Sequence, residues 1–250
     1  MSSAREWDAE AYHRVSTPQV QWAEQVLGRM TLGGDETVLD AGCGSGRVTA
    51  MLLERLPRGR VVAVDGSAAM VDAAREALPA DRVQFLVRDL VDLALDEPVD
   101  AVFSNAVFHW IPDHDRLFAT LHAALRPGGR LVAQCGGEGN VAAFLAAMAA
   151  VGEREPYAEH LAGWWPWNFA SPEETEERLR RTGFAEVRCW RSDSRVEPAD
   201  AESFATTVCL GAHLDRLPAA LRDAYAAAVL QAAGQPLVLD YVRLNIDARA

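Results

Sequence analysis

The stretch that most constrains this chain is Val38-Leu39-Asp40-Ala41-Gly42-Cys43-Gly44-Ser45-Gly46. A short apolar run with β character, Thr37-Val38-Leu39, meets an acid. Three glycines follow at every second position, and Val48, Leu52 and Leu56 then fall in helical register. Strand, glycine turn and helix open a nucleotide-binding α/β unit. Glycine is needed there because a Cβ would hold off a ligand that lies against the backbone. The first turn of the following helix offers N–H groups to polar ligand atoms. The spacing argues against a dinucleotide. That fingerprint runs G-x-G-x-x-G, whereas Gly42, Gly44 and Gly46 run G-x-G-x-G. Asp40, just ahead of the glycines, would repel a pyrophosphate and suits a cationic ligand group.

Two further strands carry the same feature. Val61-Val62-Ala63-Val64-Asp65 reads as a buried strand ending in an acid, and Asp65 lies nineteen residues beyond Gly46, where an acid that binds ribose hydroxyls belongs. Val83-Gln84-Phe85-Leu86-Val87 ends at Arg88-Asp89-Leu90. Three acids therefore meet at one carboxyl edge, which is where open α/β sheets bind ligands. Asp40-x-Gly-x-Gly-x-Gly resembles motif I of the class I S-adenosylmethionine-dependent methyltransferases. The resemblance implies that Asp40, Gly42 and Gly44 cradle S-adenosylmethionine, that Asp65 binds its ribose and that Asp89 binds the adenine amino group. It also implies that Met70 packs on adenine, although ordinary helix core explains that residue as well.

Residues 37–135 alternate strand and helix: 37–41, 47–56, 61–65, 68–78, 83–87, 99–104, 113–125 and 130–135. This predicts a doubly wound, mostly parallel α/β sheet with right-handed crossovers. Arg126-Pro127-Gly128-Gly129 is a turn that leads into the fifth strand. Thr17-Pro18 opens a helix to about Met30, and Ser171-Pro172-Glu173-Glu174 opens another to Arg181, stopped by Gly183. A sixth strand (186–197), helices (141–152, 200–213 and 218–233) and a final antiparallel strand (237–246) complete the seven-stranded sheet that the resemblance implies. The domain reading is a lid segment with the cofactor core over 1–135, a helical cap insertion over 136–185, and the last two strands with inserted cap helices over 186–250.

Val99-Asp100-Ala101-Val102-Phe103-Ser104 leads to Asn105-Ala106-Val107-Phe108-His109-Trp110-Ile111-Pro112-Asp113-His114. That string resembles the trans-aconitate methyltransferase branch and the related malonyl-carrier-protein methyltransferases. So does the opening Trp7-Asp8 with Tyr12. The resemblance places Asn105 beside the cofactor and makes Trp110 and Tyr12 candidate substrate contacts. His109 is a candidate general base, its ordinary pKa lying near neutrality; a packed, hydrogen-bonded imidazole is the alternative. His114 is expected near the start of an exposed helix. The cluster Gly163-Trp164-Trp165-Pro166-Trp167-Asn168-Phe169 reads as cap core, pocket wall, or both.

Charge narrows the partners. Thirty-six acids face 24 bases, every base is arginine, and the formal net charge is −12. Such a field repels nucleic acid and anionic membranes, and the lack of lysine excludes Schiff-base chemistry. The four cysteines show no metal-ligand or C-x-x-C spacing, and the polar N-terminus shows no signal-peptide core, so a cytoplasmic protein without bound metal is expected. The expected reaction is methyl transfer from S-adenosylmethionine to a small molecule, a carboxylate oxygen of an acid such as trans-aconitate. The alternative is N-, O- or C-methylation of a neutral natural product, which would need a base. Arg14, Arg154, Arg195 and Arg243 are candidates by position to hold an anionic acceptor.

Overall fold

The computed structural model describes residues 17–250. Its centre is one seven-stranded sheet. Strands β1 (Thr37–Ala41), β2 (Arg60–Asp65), β3 (Val83–Val87), β4 (Val99–Asn105), β5 (Leu125–Gly136), β6 (Ala185–Val196) and β7 (Leu239–Arg249) lie in the order β3-β2-β1-β4-β5-β7-β6. The first five pair parallel; β7 runs antiparallel between β5 and β6. This is the doubly wound, mostly parallel sheet that the alternating pattern predicts. Because side chains alternate faces along a strand, Val38, Val61, Ala101 and Val132 pack one side, under α1 (Thr17–Arg29), α2 (Arg47–Glu54) and α3 (Ala68–Ala77). Their neighbours Leu39, Val62, Val102 and Leu131 pack the other, under α4 (His114–Ala124).

A second core stands above the carboxyl edge. α5 (Ala142–Gly152) contributes Phe144, Met148 and Val151, and the long helix Ala219–Ala233 contributes Tyr225 and Val229, while Trp22 and Tyr241 close it from the sheet side. A four-residue helix, α6 (Ala158–Leu161), adds Leu161. The segment 136–185 thus serves two layers. Its first half joins this upper core. α7 (Pro172–Thr182) puts Leu179 under the sheet with Phe184, against α4 and β6.

Four local expectations change. The helix expected over 200–213 is broken into α8 (Ala201–Phe204), a π turn (Ala205–Cys209) and α9 (Gly211–Arg216), with Leu210 N–H donating to Ala205 O at 2.7 Å. The run Thr206-Thr207-Val208 is β-branched, and Thr206 Oγ1 donates back to Glu202 O, both of which loosen an α ladder. The following helix, α10, is the Ala219–Ala233 segment already described. β5 starts at Leu125, which pairs with Val99, and Gly128 and Gly129 exchange hydrogen bonds with Ala250. β7 starts two residues late, at Leu239, where its partner β6 ends at Val196, and it extends to Arg249 because β5 and β6 still offer partners there. His114 does open α4 but is buried, its Nε2 2.9 Å from Phe108 O.

Candidate active site

The turn after β1 is held from below. Gly42 N–H and Cys43 N–H both donate to Val64 O, at 2.8 and 3.0 Å. Gly42 has φ +92°, and a Cβ there would run into Val107 at the end of β4. Gly44 has φ +52° with open space where its Cβ would stand. One residue is thus glycine because of what packs against it, and the other leaves open space beside its backbone. Asp65 ties the turn to the next unit: its Oδ2 accepts from Gly44 N–H and its Oδ1 from Ser67 N–H, each at 2.9 Å. Ser67 then caps α3, accepting from Met70 N–H. Met70 is already buried by protein. Asp89 caps the turn Leu90–Asp92 through Val91 N–H.

Asp40 sits differently from its neighbours. It is 1% exposed and accepts a 2.7 Å hydrogen bond from Thr49 Oγ1 of α2. Burial pushes its carboxyl up to about 7; the Thr49 bond opposes this and the nearby Asp65 charge adds to it. The carboxylate faces the helix behind the turn. The polar atoms awaiting a partner are elsewhere. Asn105 Nδ2 donates to Gln19 O at 2.9 Å, while Asn105 Oδ1 and Gln19 Oε1 are buried with no donor among the described residues. Two orphaned amide oxygens, the Asp65 carboxylate and the bare backbone at Gly44 fit a ligand with an ammonium and hydroxyl donors, as S-adenosylmethionine has.

Next to this edge lies a cleft that opens to solvent. It is walled by Trp22, Trp110, Phe144, Trp167 and Phe169, with Gln19, His109, Asn140 and Arg243 as polar members. Two of its residues, Ala106 (φ +63°) and Val141 (φ +44°), are left-handed without being glycine, a costly conformation that tends to gather at functional sites. Trp110 meets Trp167 at a tilt, ring centroids 5.5 Å apart, and Trp167 stacks on Phe169 at 5.8 Å and on His213 at 5.5 Å. The aromatic cluster therefore serves as cap core and cleft wall together. Tyr12 lies outside the described residues.

His109 is 9% exposed, stacked on Phe169, and its Nδ1 accepts from Gly136 N–H at 3.2 Å. That bond assigns the neutral ring as the Nε2–H tautomer. Burial, reinforced by the Arg243 charge, holds its pKa well below the ordinary 6.5. The lone pair a general base would need is occupied by Gly136.

Of the three arginine candidates in the described residues, Arg154 and Arg195 are exposed, whereas Arg243 is 2% exposed and lines the cleft. Its guanidinium lies 4.1 Å over the Trp22 ring, and its Nε donates to Gln134 Oε1 at 3.3 Å. Gln134 Nε2 donates to Asn245 Oδ1 at 2.8 Å, which also accepts from Arg29 Nη1 at 3.0 Å. Arg29 in turn pairs with Asp247. Sequence reading missed this chain of Arg29, Gln134 and Asn245. Its signal was present: a Gln and an Asn at inward positions of otherwise apolar strands are buried polar groups that must find partners.

Comparison with known proteins accords with this geometry. A family model described as a methyltransferase domain matches residues 38–129. A trans-aconitate 2-methyltransferase of Variovorax paradoxus is 32% identical over 239 residues, covering 89% of this chain and 86% of that protein. One from Azoarcus sp. is 44% identical over 128 residues, 51% of this chain and half the length of that relative. The alignments with several other curated relatives likewise span about half of their length. Among solved structures, phosphoethanolamine N-methyltransferase 2 of Haemonchus contortus, complexed with S-adenosylhomocysteine, shares the fold at TM-score 0.62 and 19% identity, over 96% of this chain and 56% of that one. The chain belongs to the S-adenosylmethionine-dependent methyltransferases.

Proposed function

We propose that this enzyme transfers the methyl group of S-adenosylmethionine to a carboxylate oxygen of a small acid. The observation that carries the reading is the buried guanidinium of Arg243, oriented by Gln134 and Trp22 inside an aromatic-walled cleft beside the cofactor edge. A protein of net charge −12 needs such a local cation to hold an anion. The name of the Variovorax relative supports an acid acceptor, trans-aconitate, in that protein.

Asp65, Asp89, Met70, Gly42, Gly44 and Asn105 are assigned to the cofactor, together with Gln19. Asp40 is assigned to holding the turn through Thr49. When bound, S-adenosylmethionine supplies a methyl group on a sulfonium, already activated for displacement. With S-adenosylmethionine held there, an acceptor oxygen would form the new O–C bond as the C–S bond broke, the electron pair staying on sulfur. A carboxylate is ionised at pH 7, so no proton moves and no base is used. This agrees with the occupied Nδ1 of His109 and disfavours a neutral acceptor that would need deprotonation. Positioning then supplies most of the rate, on the order of 7–11 kcal/mol for well-oriented reactants. Trp110 and Tyr12 are assigned to the acceptor side. The reaction belongs in the cytoplasm, in keeping with four unbridged cysteines. No described helix is long and apolar enough to cross a membrane.

The test is transfer of labelled methyl to carboxylic acids, alcohols and amines, followed by base treatment. Methyl esters release label and methyl ethers, amines and C-methyl groups retain it. Base-stable label on a neutral acceptor, with acids untouched, would overturn the reading.

A further inference from the structure

Two backbone N–H groups fix the orientation of two neutral side chains in the cleft. Gly136 N–H donates to His109 Nδ1 at 3.2 Å, and Val242 N–H donates to Asn140 Oδ1 at 3.1 Å. Each bond occupies an acceptor, so the atom left over is a donor: Nε2–H of the neutral imidazole and the Nδ2 amide of Asn140. Neither donor has a partner among the described residues, and both side chains line the cleft. Unlike Gln19 Oε1 and Asn105 Oδ1, neither nitrogen is shut away from solvent. The two side chains converge on one glycine. A Cβ on Gly136 would stand 3.0 Å from Asn140 Nδ2 and 2.7 Å from the Phe169 ring, on which His109 stacks. Burial, with the Arg243 charge, keeps the imidazole neutral, so it offers the cleft one N–H and no lone pair.

We propose that His109 Nε2–H and Asn140 Nδ2–H together hold the acceptor oxygen that is not methylated, and that this pair selects a carboxylate over a hydroxyl or an amine. The inference rests on the carboxylate reading above and names residues for it. A carboxylate oxygen carries only lone pairs and takes both donors at once, and bonds to a charged acceptor are about twice as strong as bonds to a neutral one. A hydroxyl is neutral and must turn its own proton away. An ammonium offers only N–H groups and meets two donors. The ester carbonyl left after methylation still accepts from both, so the pair holds the acceptor before and after transfer alike. Interactions of that kind show in KM more than in kcat.

The experiment measures KM and kcat of the full chain for trans-aconitate, octanoate, trans-cinnamate, 1-octanol and octylamine, with base lability of the label as a second readout. Two variants separate the roles of the ring nitrogens. His109→Asn keeps an oxygen for Gly136 at the Nδ1 position but has no atom at Nε2, whereas His109→Gln restores an N–H there and gives up the Nδ1 acceptor. His109→Asn is expected to raise KM for the best acid about 30-fold, and His109→Gln to bring it back to within about fivefold of the wild type. A merely structural role predicts the reverse order, since the Asn variant is the one that satisfies Gly136. Asn140→Asp keeps the oxygen that accepts from Val242 and turns the donor into a carboxylate oxygen. It is expected to raise the same KM at least about 100-fold by repulsion, with the affinity for S-adenosylhomocysteine unchanged. A KM within about threefold of the wild type in both His109→Asn and Asn140→Asp would overturn this inference and leave ester formation standing. Base-stable label on octanol or octylamine, with every acid unlabelled, would overturn ester formation and the inference with it.

Discussion

The two halves of the cleft are built in opposite ways. The cofactor edge comes from short, consecutive connections. One glycine turn, one acid at the end of β2 and one at the end of β3 each lie within a few residues of the strand that places them. The acceptor half draws on α1, the end of β4, the start of α5, the tryptophan segment, the π turn and β7, over more than two hundred residues of sequence. The first half is polar and assembled by backbone hydrogen bonds. The second is aromatic, and Arg243, its one cation among the described residues, is held by side chains from β5 and α1. A local motif can be inherited whole; a surface gathered from six segments is reshaped by any one of them, which suits the part of an enzyme that selects its acceptor.

The contrast can be sharpened or broken by measurement, and the largest expected effect lies on the cofactor side. The Asp40 carboxyl binds its proton more tightly folded, at about 7, than unfolded, near 3.8. It therefore stabilises the apoprotein below about pH 4 and loses that contribution as pH rises to 7, about 4 kcal/mol in all. Denaturant unfolding of the wild type against Asp40→Asn should show a steeper decline with pH in the wild type. Parallel curves would mean that Asp40 is solvated and faces the cleft instead. Gly42→Ala comes next. The clash with Val107 and the positive φ should cost about 3 kcal/mol, a fall in Tm of about 10 °C, together with weakened cofactor binding. Calorimetry checks both, and an unperturbed melt would show the turn to be adaptable.

Smaller effects are expected across the cleft. Gln134→Leu should raise KM for the acid about 10-fold, with cofactor affinity intact, because the fork of Arg243 loses its orientation but not its charge. A matching loss of cofactor affinity would show that the two halves are not separable. His109→Asn, whose amide oxygen can replace Nδ1 for Gly136, should change kcat less than about threefold. Because burial holds the His109 pKa well below 6.5, its titration should add no limb to kcat near neutral pH, in the wild type as in the variant. A limb near pH 6.5 that vanishes in the variant would restore base chemistry.

The alternation of strands and helices, the glycine turn and the strand-end positions of the acids at 65 and 89 were legible because apolar runs, glycine spacing and strand ends are local properties of the chain. Helix continuity over 200–213 was not, because the π turn at 205–209 depends on packing in the upper core as well as on its threonines. Nor was the burial of Asp40, whose identity marks the turn but whose carboxylate is claimed by Thr49 one helix later. Arg243 and Arg195 look alike in sequence, both on strands near the C-terminus. Only pairing β7 between β5 and β6 puts one beside Gln134 and Trp22 and leaves the other exposed on the outer strand. The sequence by itself determined the sheet and the strand ends proposed to hold the cofactor, since these follow from contacts between near neighbours. The tertiary structure decided the charge, shape and tautomer of the acceptor cleft, since burial and partner choice arise only when distant segments meet.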